Sequence, residues 1–192
     1  LINNATSMKL SGTITGNAAT QGGAVYNTGS LNVEGGTITG NTVTDNGGAI
    51  YQAGSMSVAG EVQIYDNKKG EKQNTVSLPA TTTKQPLANY ISVGGLEASS
   101  RIGVLTDTST QNGGKGVLYT VIGTPANEGD DLAPLANLFT HDQLDVQPAA
   151  YQVIMDERSG GTNLVLGYNN AIEFSFIKVD ATEHTSVLPG AQ

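Results

Sequence analysis

At 192 residues with 25 glycines, 14% charged residues and 5% aromatics, the chain has neither the charge of a solvated disordered tail nor the composition of an average enzyme. Its formal net charge of -8 disfavours nucleic acid as a partner, because affinity for the phosphate backbone comes largely from Lys and Arg. The absence of cysteine excludes disulfides and thiolate metal sites, and no apolar run approaches the roughly 18 residues of a membrane span.

Residues 8–30 read MKLSGTITGNAATQGGAVYNTGS, residues 31–55 read LNVEGGTITGNTVTDNGGAIYQAGS, and MSVAGEVQIYDN follows from Met56. Thr13-Ile14-Thr15-Gly16-Asn17 returns 24 residues later at Thr37, and Gly22-Gly23-Ala24-Val25-Tyr26 returns 25 residues later at Gly47. A fixed period of this size marks stacked structural repeats. Each copy holds short β-branched alternations separated by Gly, Asn or Asp, with no apolar spacing of helical period, which predicts the coils of a β-solenoid. Leucine-rich repeats have a similar period but need a dense Leu consensus, and Leu31 is the only Leu between Leu10 and Leu78.

Aligned on the turn glycines Gly12, Gly36 and Gly60, the copies place Leu10, Val33 and Val58 in one inward column. Ile14, Ile38 and Val62 form a second, and Val25 with Ile50 a third. Coils of a parallel stack lie about 4.8 Å apart, so each column becomes an apolar ladder in which one Ile contributes roughly 1.5–3 kcal/mol. Asn17 and Asn41 follow the second column at a corner, where one amide can bond the next; Asn67 falls two residues late on this alignment. The glycine pairs Gly22-Gly23 and Gly47-Gly48 read as tight corners rather than a phosphate cradle.

Residues 68–86, with KKGEK, a Thr triplet and prolines at 79 and 86, break the pattern and read as an exposed excursion. Residues 89–96 and 100–105 alternate again and are expected to extend the stack, and residues 116–122 form a further strand. Leu132, Leu135, Leu138 and Phe139 at near-helical spacing predict a short helical turn that flanks it. Strands over 151–155 and 163–166, joined through Ser159-Gly160-Gly161, are expected to close the open end.

The T-I-T-G-N and G-G-A-[VI]-Y repeats, with N-Y-I-S-V at residues 89–93 and S-R-I-G-V at residues 100–104, resemble the right-handed parallel β-helix region of large Gram-positive surface proteins. FSFIKVDA at residues 174–181, followed by LPGA at residues 188–191, resembles the opening of a Cna B-type (SpaA-like, prealbumin-like) domain. The resemblances imply an all-β chain: a right-handed parallel β-helix, pectin-lyase-like, over residues 1–168, then a linker and the first strand of an Ig-like or prealbumin-like β-sandwich over 169–192. They further imply a monomeric module of a longer cell-wall-anchored, extracellular protein, with a host glycan or matrix protein as partner and no cofactor. Leu1 in place of a start Met agrees with an excised or processed piece. In the Cna B-type family a first-strand Lys forms an isopeptide bond with a distant Asn, beside a buried acid. Lys178 matches that Lys, which must be buried and neutral to react; the partners would lie beyond Gln192, and a solvated strand-edge lysine is the alternative.

Other chemistry is sparse. Polysaccharide lyases and glycoside hydrolases built as β-helices need clustered Asp for calcium or paired carboxylates, whereas residues 1–60 carry only Lys9, Glu34 and Asp45, out of register. No catalytic, cofactor-binding or metal residue is therefore assigned. Glu128, Asp130 and Asp131 form an acidic loop that reads either as a Ca²⁺ ligand set or, more plainly, as a solvated turn. His141 and His184 have no second His or Cys at ligand spacing, and Gly113-Gly114-Lys115-Gly116 lacks the Ser or Thr of a nucleotide-binding loop. Thr13, Thr15, Thr37 and Thr39 suggest an ice-binding array, which Glu61 and Gln63 cut short. The leading expectation is a non-enzymatic adhesin or stalk module, and the alternative is a carbohydrate-active β-helix.

Overall fold

In residues 31–33, Leu31 and Val33 lie inward and Asn32 outward, and this alternation makes the first half of a ten-residue strand. The computed structural model describes residues 2–3, 6–79, 89–106, 120–142, 151–156 and 161–168. Lys178, His184, the whole of 169–192, and residues 80–88 and 113–116 lie outside them.

After Ile2–Asn3 (β1), the first coil comprises Met8–Leu10 (β2), Thr13–Thr15 (β3), Ala18–Ala19 (β4) and Val25–Asn27 (β5). Ser30–Thr39 (β6), Thr42–Val43 (β7) and Ile50–Gln52 (β8) make the second. The third holds Ser55–Ile64 (β9), Lys68–Lys69 (β10), Lys72–Gln73 (β11) and Val76–Leu78 (β12). The fourth holds Ile91–Leu96 (β13) and Arg101–Thr106 (β14), and the fifth Thr120–Pro125 (β15) and Phe139–His141 (β16). Tyr151–Met155 (β17) and Leu164–Tyr168 (β18) follow. The described residues are thus all-β apart from a 3-10 helix over Ala133–Leu138, and Leu132 and Leu138 are buried there.

Successive coils pair in parallel. β2 and β3 lie on β6, β6 on β9, β9 on β13 and β13 on β15. A second row runs β5, β8, β12, β14, β16, also parallel. A short third row, β4, β7 and β10, forms a separate sheet that we call the arm, and it ends in the antiparallel β10–β11 hairpin. At the far end β18 pairs antiparallel with β15 and β17 with β18, so the main sheet is mixed and its last parallel coil is covered by a hairpin.

The first and third columns stand as the periodicity predicts. Leu10, Val33, Val58 and Val93 are in register, as are Val25, Ile50, Val76 and Val104, and all eight are buried. The second column requires a correction. Ile14 and Ile38 are followed by Ile64, and Val62 instead lies opposite Gly36. The register slips between Glu34 and Gly36 because Gly60 and Glu61 together oppose Gly35, a β-bulge. The buried Ser100 hydroxyl bridges the bulge: it accepts from the Val62 N–H at 3.1 Å and donates at 3.2 Å to the Gly60 carbonyl, which also accepts the Glu97 N–H at 3.0 Å.

Because Gly60 and Glu61 share the place opposite Gly35, the pairing beyond the bulge runs two residues later than the Gly36–Gly60 alignment, and Asn67 falls into line. Asn17 Nδ2 donates to Asn41 Oδ1 and Asn41 Nδ2 to Asn67 Oδ1, each at 2.9 Å, and the backbone N–H of Asn17 and Asn41 reaches the same acceptors at 3.0 Å. Asn41 and Asn67 are fully buried, so these bonds meet the otherwise high cost of burying an amide. The expected excursion is likewise narrower than its composition suggested: Lys68–Lys69 prolongs the arm, and Val76 and Leu78 are completely buried in the second row. At the Gly22-Gly23 corner the coils pack backbone on backbone, since a Cβ on Gly23 would run into the Gly48 carbonyl oxygen.

Candidate functional site

The arm stops at the third coil. In the first three coils the chain leaves the second column at a corner, forms an arm strand and returns through a second corner to the third column. In the fourth coil β14 runs straight across. Arg101 and Ile102 pair with Gln63 and Ile64 of β9, while Val104, Leu105 and Thr106 pair with Val76, Ser77 and Leu78 of β12. The β10–β11 hairpin therefore overhangs a step. Beneath it lies an open cleft of about 320 Å³, lined by Tyr65, Asp66, Lys72, Gln73, Thr75, Arg101, Gly103, Thr140, His141 and Asp142.

Asp142 sits where the missing corner would be. At the returning corner Ala24 N–H donates to the Ala49 carbonyl at 2.9 Å and Ala49 N–H to the Thr75 carbonyl at 3.0 Å. The next donor in this series, Thr75 N–H, finds no fourth-coil carbonyl and bonds Asp142 Oδ2 at 2.6 Å instead. Gly103 makes the approach possible, because a Cβ there would lie 2.8 Å from the Thr75 hydroxyl and 3.1 Å from Asp142 Oδ1. The carboxyl is only 7% exposed, and burial pushes its pKa up to about 6. The Asp66 charge adds to that rise, while the hydrogen bonds with Thr75 and the Arg101 charge oppose it.

His141 lies opposite Val104 at the foot of the third column. Burial lowers its pKa to about 4, so the imidazole is neutral at neutral pH. It is a half-buried residue at the end of β16.

Asp66 forms the outer rim. The corner that precedes each asparagine of the ladder has a left-handed backbone, with φ of 72° at Gly16, 66° at Gly40 and 50° at Asp66. Among the described residues Asp66 is the one non-glycine with positive φ. An L-residue there costs about 1–2 kcal/mol, less for Asp than for most. Its carbonyl still accepts the Gly40 N–H at 3.0 Å, and its carboxylate accepts from Gln73 Nε2 at 3.2 Å. Beside it the Arg101 guanidinium lies 4.8 Å over the Tyr65 ring, a cation–π contact that holds the arginine along the cleft wall.

The acidic loop is used locally. Asp130 Oδ2 accepts from both the backbone and side-chain nitrogens of Asn127 at 3.0 Å, and Asp131 Oδ1 accepts the Ala133 N–H at 2.9 Å, at the start of the 3-10 helix. Glu128 is exposed. Among the described residues no three His, Asp or Glu side chains are grouped to hold a metal ion. The threonine row ends where Gln63 stands opposite Thr37, while Glu61 lies in the bulge. A second cleft of about 460 Å³, lined by residues 17–23 and Tyr26, has no charged side chain. No helix among the described residues is long and apolar enough to cross a membrane.

Sequence reasoning singled out neither Asp66, Arg101 nor Asp142. A signal for the first was present: Tyr65-Asp66-Asn67 stands where the two earlier copies have Thr-Gly-Asn. No protein-family model, curated protein or solved structure matches this chain, so its chemistry rests on the side chains just described.

Proposed function

We propose that the chain is a non-enzymatic display module of a Gram-positive cell-surface protein: a right-handed parallel β-helix that serves as a stiff stalk and binds a host glycan or matrix protein outside the cell. The observation that supports this reading is the continuous parallel pairing from β2 and β3 through β6, β9 and β13 to β15. A stack in which each coil contacts only its neighbours grows along one axis, which suits a spacer better than an enzyme's enclosed pocket. The FSFIKVDA and LPGA stretches support a place in a series of wall-anchored stalk domains, with Lys178 as the isopeptide candidate.

A carbohydrate-active enzyme is the second reading, and the cleft is the observation that favours it. Asp142, with its raised pKa, and Asp66 are two carboxylates in one cleft, the residue pair of glycoside hydrolysis. Against it, Asp142 is already committed to the Thr75 N–H and is 7% exposed. A panel of immobilised polysaccharides and matrix proteins separates the two, if retention and new chain ends are recorded together. Retention without new ends is the expected result. New ends would move the assignment to the enzyme, and no retention would contradict ligand binding.

A further inference from the structure

We propose that the cleft beneath the arm is a binding site for a neutral sugar, whose hydroxyls are held between Asp66 on the rim and Arg101 on the wall. The proposal rests on the glycan-binding reading above and names its site and ligand class.

The rim carries the first argument. Gly16 and Gly40 fill the left-handed corner without strain in the first two coils, and the third coil places Asp66 in the same conformation. The backbone there has no need of a side chain, since Asp66 makes the same carbonyl bond to the coil before it that any residue could. What the substitution adds is a carboxylate at the edge of a cleft, and strained residues that add nothing to packing collect at functional sites.

Charge and size select the ligand. The cleft is lined by two cations, Lys72 and Arg101, and by two carboxyl groups, Asp66 and Asp142. Two cations and two acids leave the lining close to neutral, so it offers no net electrostatic attraction to a phosphate, a carboxylate or a bare metal ion. A sugar hydroxyl both donates and accepts, so vicinal hydroxyls can satisfy a carboxylate and a guanidinium together. Gln73, already bonded to Asp66, adds an amide of the same dual character. Behind them Asp142 is more than nine-tenths buried and fixed on Thr75, which gives the cleft a rigid floor. The volume of about 320 Å³ is at the lower end for small-molecule sites and admits about one or two sugar rings.

The test is a titration of the isotope-labelled chain, followed by amide NMR, with methyl glycosides of glucose, galactose, mannose and N-acetylglucosamine, and with glucuronate and inorganic phosphate as competitors of other charge. The expected result is that a neutral glycoside moves the Gln73 side-chain amide and the Thr75 and Gly103 N–H signals. Asp66→Gly and Arg101→Gln should each weaken that response roughly tenfold or more, the cost of a lost hydrogen bond to a charged group. Asp66→Gly should keep a melting temperature close to wild type, because glycine takes the left-handed corner without strain, so its loss of binding cannot come from unfolding. Shifts confined to another face would overturn the cleft while leaving glycan binding intact. No shift with any sugar would overturn both, a stronger response to glucuronate or phosphate would overturn the ligand class, and unchanged affinity in Asp66→Gly would overturn the role of the rim.

Discussion

Asp142→Asn should make the protein more stable at neutral pH and expose a pH dependence that the wild type conceals. The Asp142 pKa rises from an ordinary 3.8 to about 6, so its carboxyl is easier to ionise in the unfolded chain. Its stabilising contribution is full below about 4 and is lost as pH rises through about 6, and a difference of about two pH units corresponds to roughly 3 kcal/mol. His141 runs the other way. Its pKa falls from 6.5 to about 4, so its contribution is full above 6.5 and is lost as pH falls toward 4, again by roughly 3 kcal/mol. Between about pH 4 and 6 the two slopes nearly cancel. The asparagine keeps an oxygen for the Thr75 N–H but removes the buried charge, at a cost of about 1 kcal/mol for its extra N–H donors. Urea denaturation of both proteins from pH 7 to pH 4 should show an advantage of about 2 kcal/mol at pH 7, gone by pH 4, with the histidine slope now visible in the variant. A variant less stable than wild type at pH 7, or an advantage independent of pH, would refute the assignment of the buried charge to Asp142.

Asp66→Gly should change stability by less than about 1 kcal/mol, since relief of the left-handed strain is offset by the lost Gln73 hydrogen bond and by the greater freedom of glycine in the unfolded chain; a large drop in melting temperature would contradict this. Ile38→Asp, which buries a charge in the second column, should lower the melting temperature far more than Thr39→Asp on the adjacent outward position, and equal effects in thermal scans would mean the inward register is wrong. Asn41→Ala should cost about 2–3 kcal/mol, because the side-chain amide and backbone N–H of Asn17 both lose Asn41 Oδ1 and the buried Asn67 Oδ1 loses Asn41 Nδ2; a loss under about 0.5 kcal/mol in denaturant titration would place the ladder outside the stabilising contacts.

The all-β class and two of the three columns were legible because the period-two alternation in Leu31–Val33 and Met56–Val58 survives intact. The second column was misplaced for a local reason. Alignment on Gly60 assumes that it stands opposite Gly36, but Gly60 and Glu61 both oppose Gly35, so the true pairing runs two residues later and Ile64 and Asn67 come into line while Val62 does not. Val76 and Leu78 were hidden by the lysine-rich hairpin that precedes them, whose composition describes the arm and not the row it returns to.

The cleft was illegible because it comes from an absence. No residue between Arg101 and Thr106 announces that β14 spans two faces in one strand; the sign is only that the fourth copy has no corner Asn and no polar spacer between Ile102 and Val104. Asp142 then arrives from 67 residues beyond its partner Thr75, a separation that no short motif can encode.

The cleft, and every role proposed for it, depends on the fourth and fifth coils continuing the stack begun by the repeats. Lys9, Asn32, Ser57, Ser92 and Thr124 occupy one register position in five successive coils. Four steps of about 4.8 Å put the Cα atoms of Lys9 and Thr124 about 19 Å apart, although 115 residues separate them in sequence. With no native cysteine, Lys9→Cys and Thr124→Cys can be spin-labelled cleanly and their separation measured by electron double resonance. A narrow distribution centred near 19 Å, widened only by the label arms, is the predicted result. A separation beyond about 30 Å, or a broad distribution, would contradict the stack and with it the cleft.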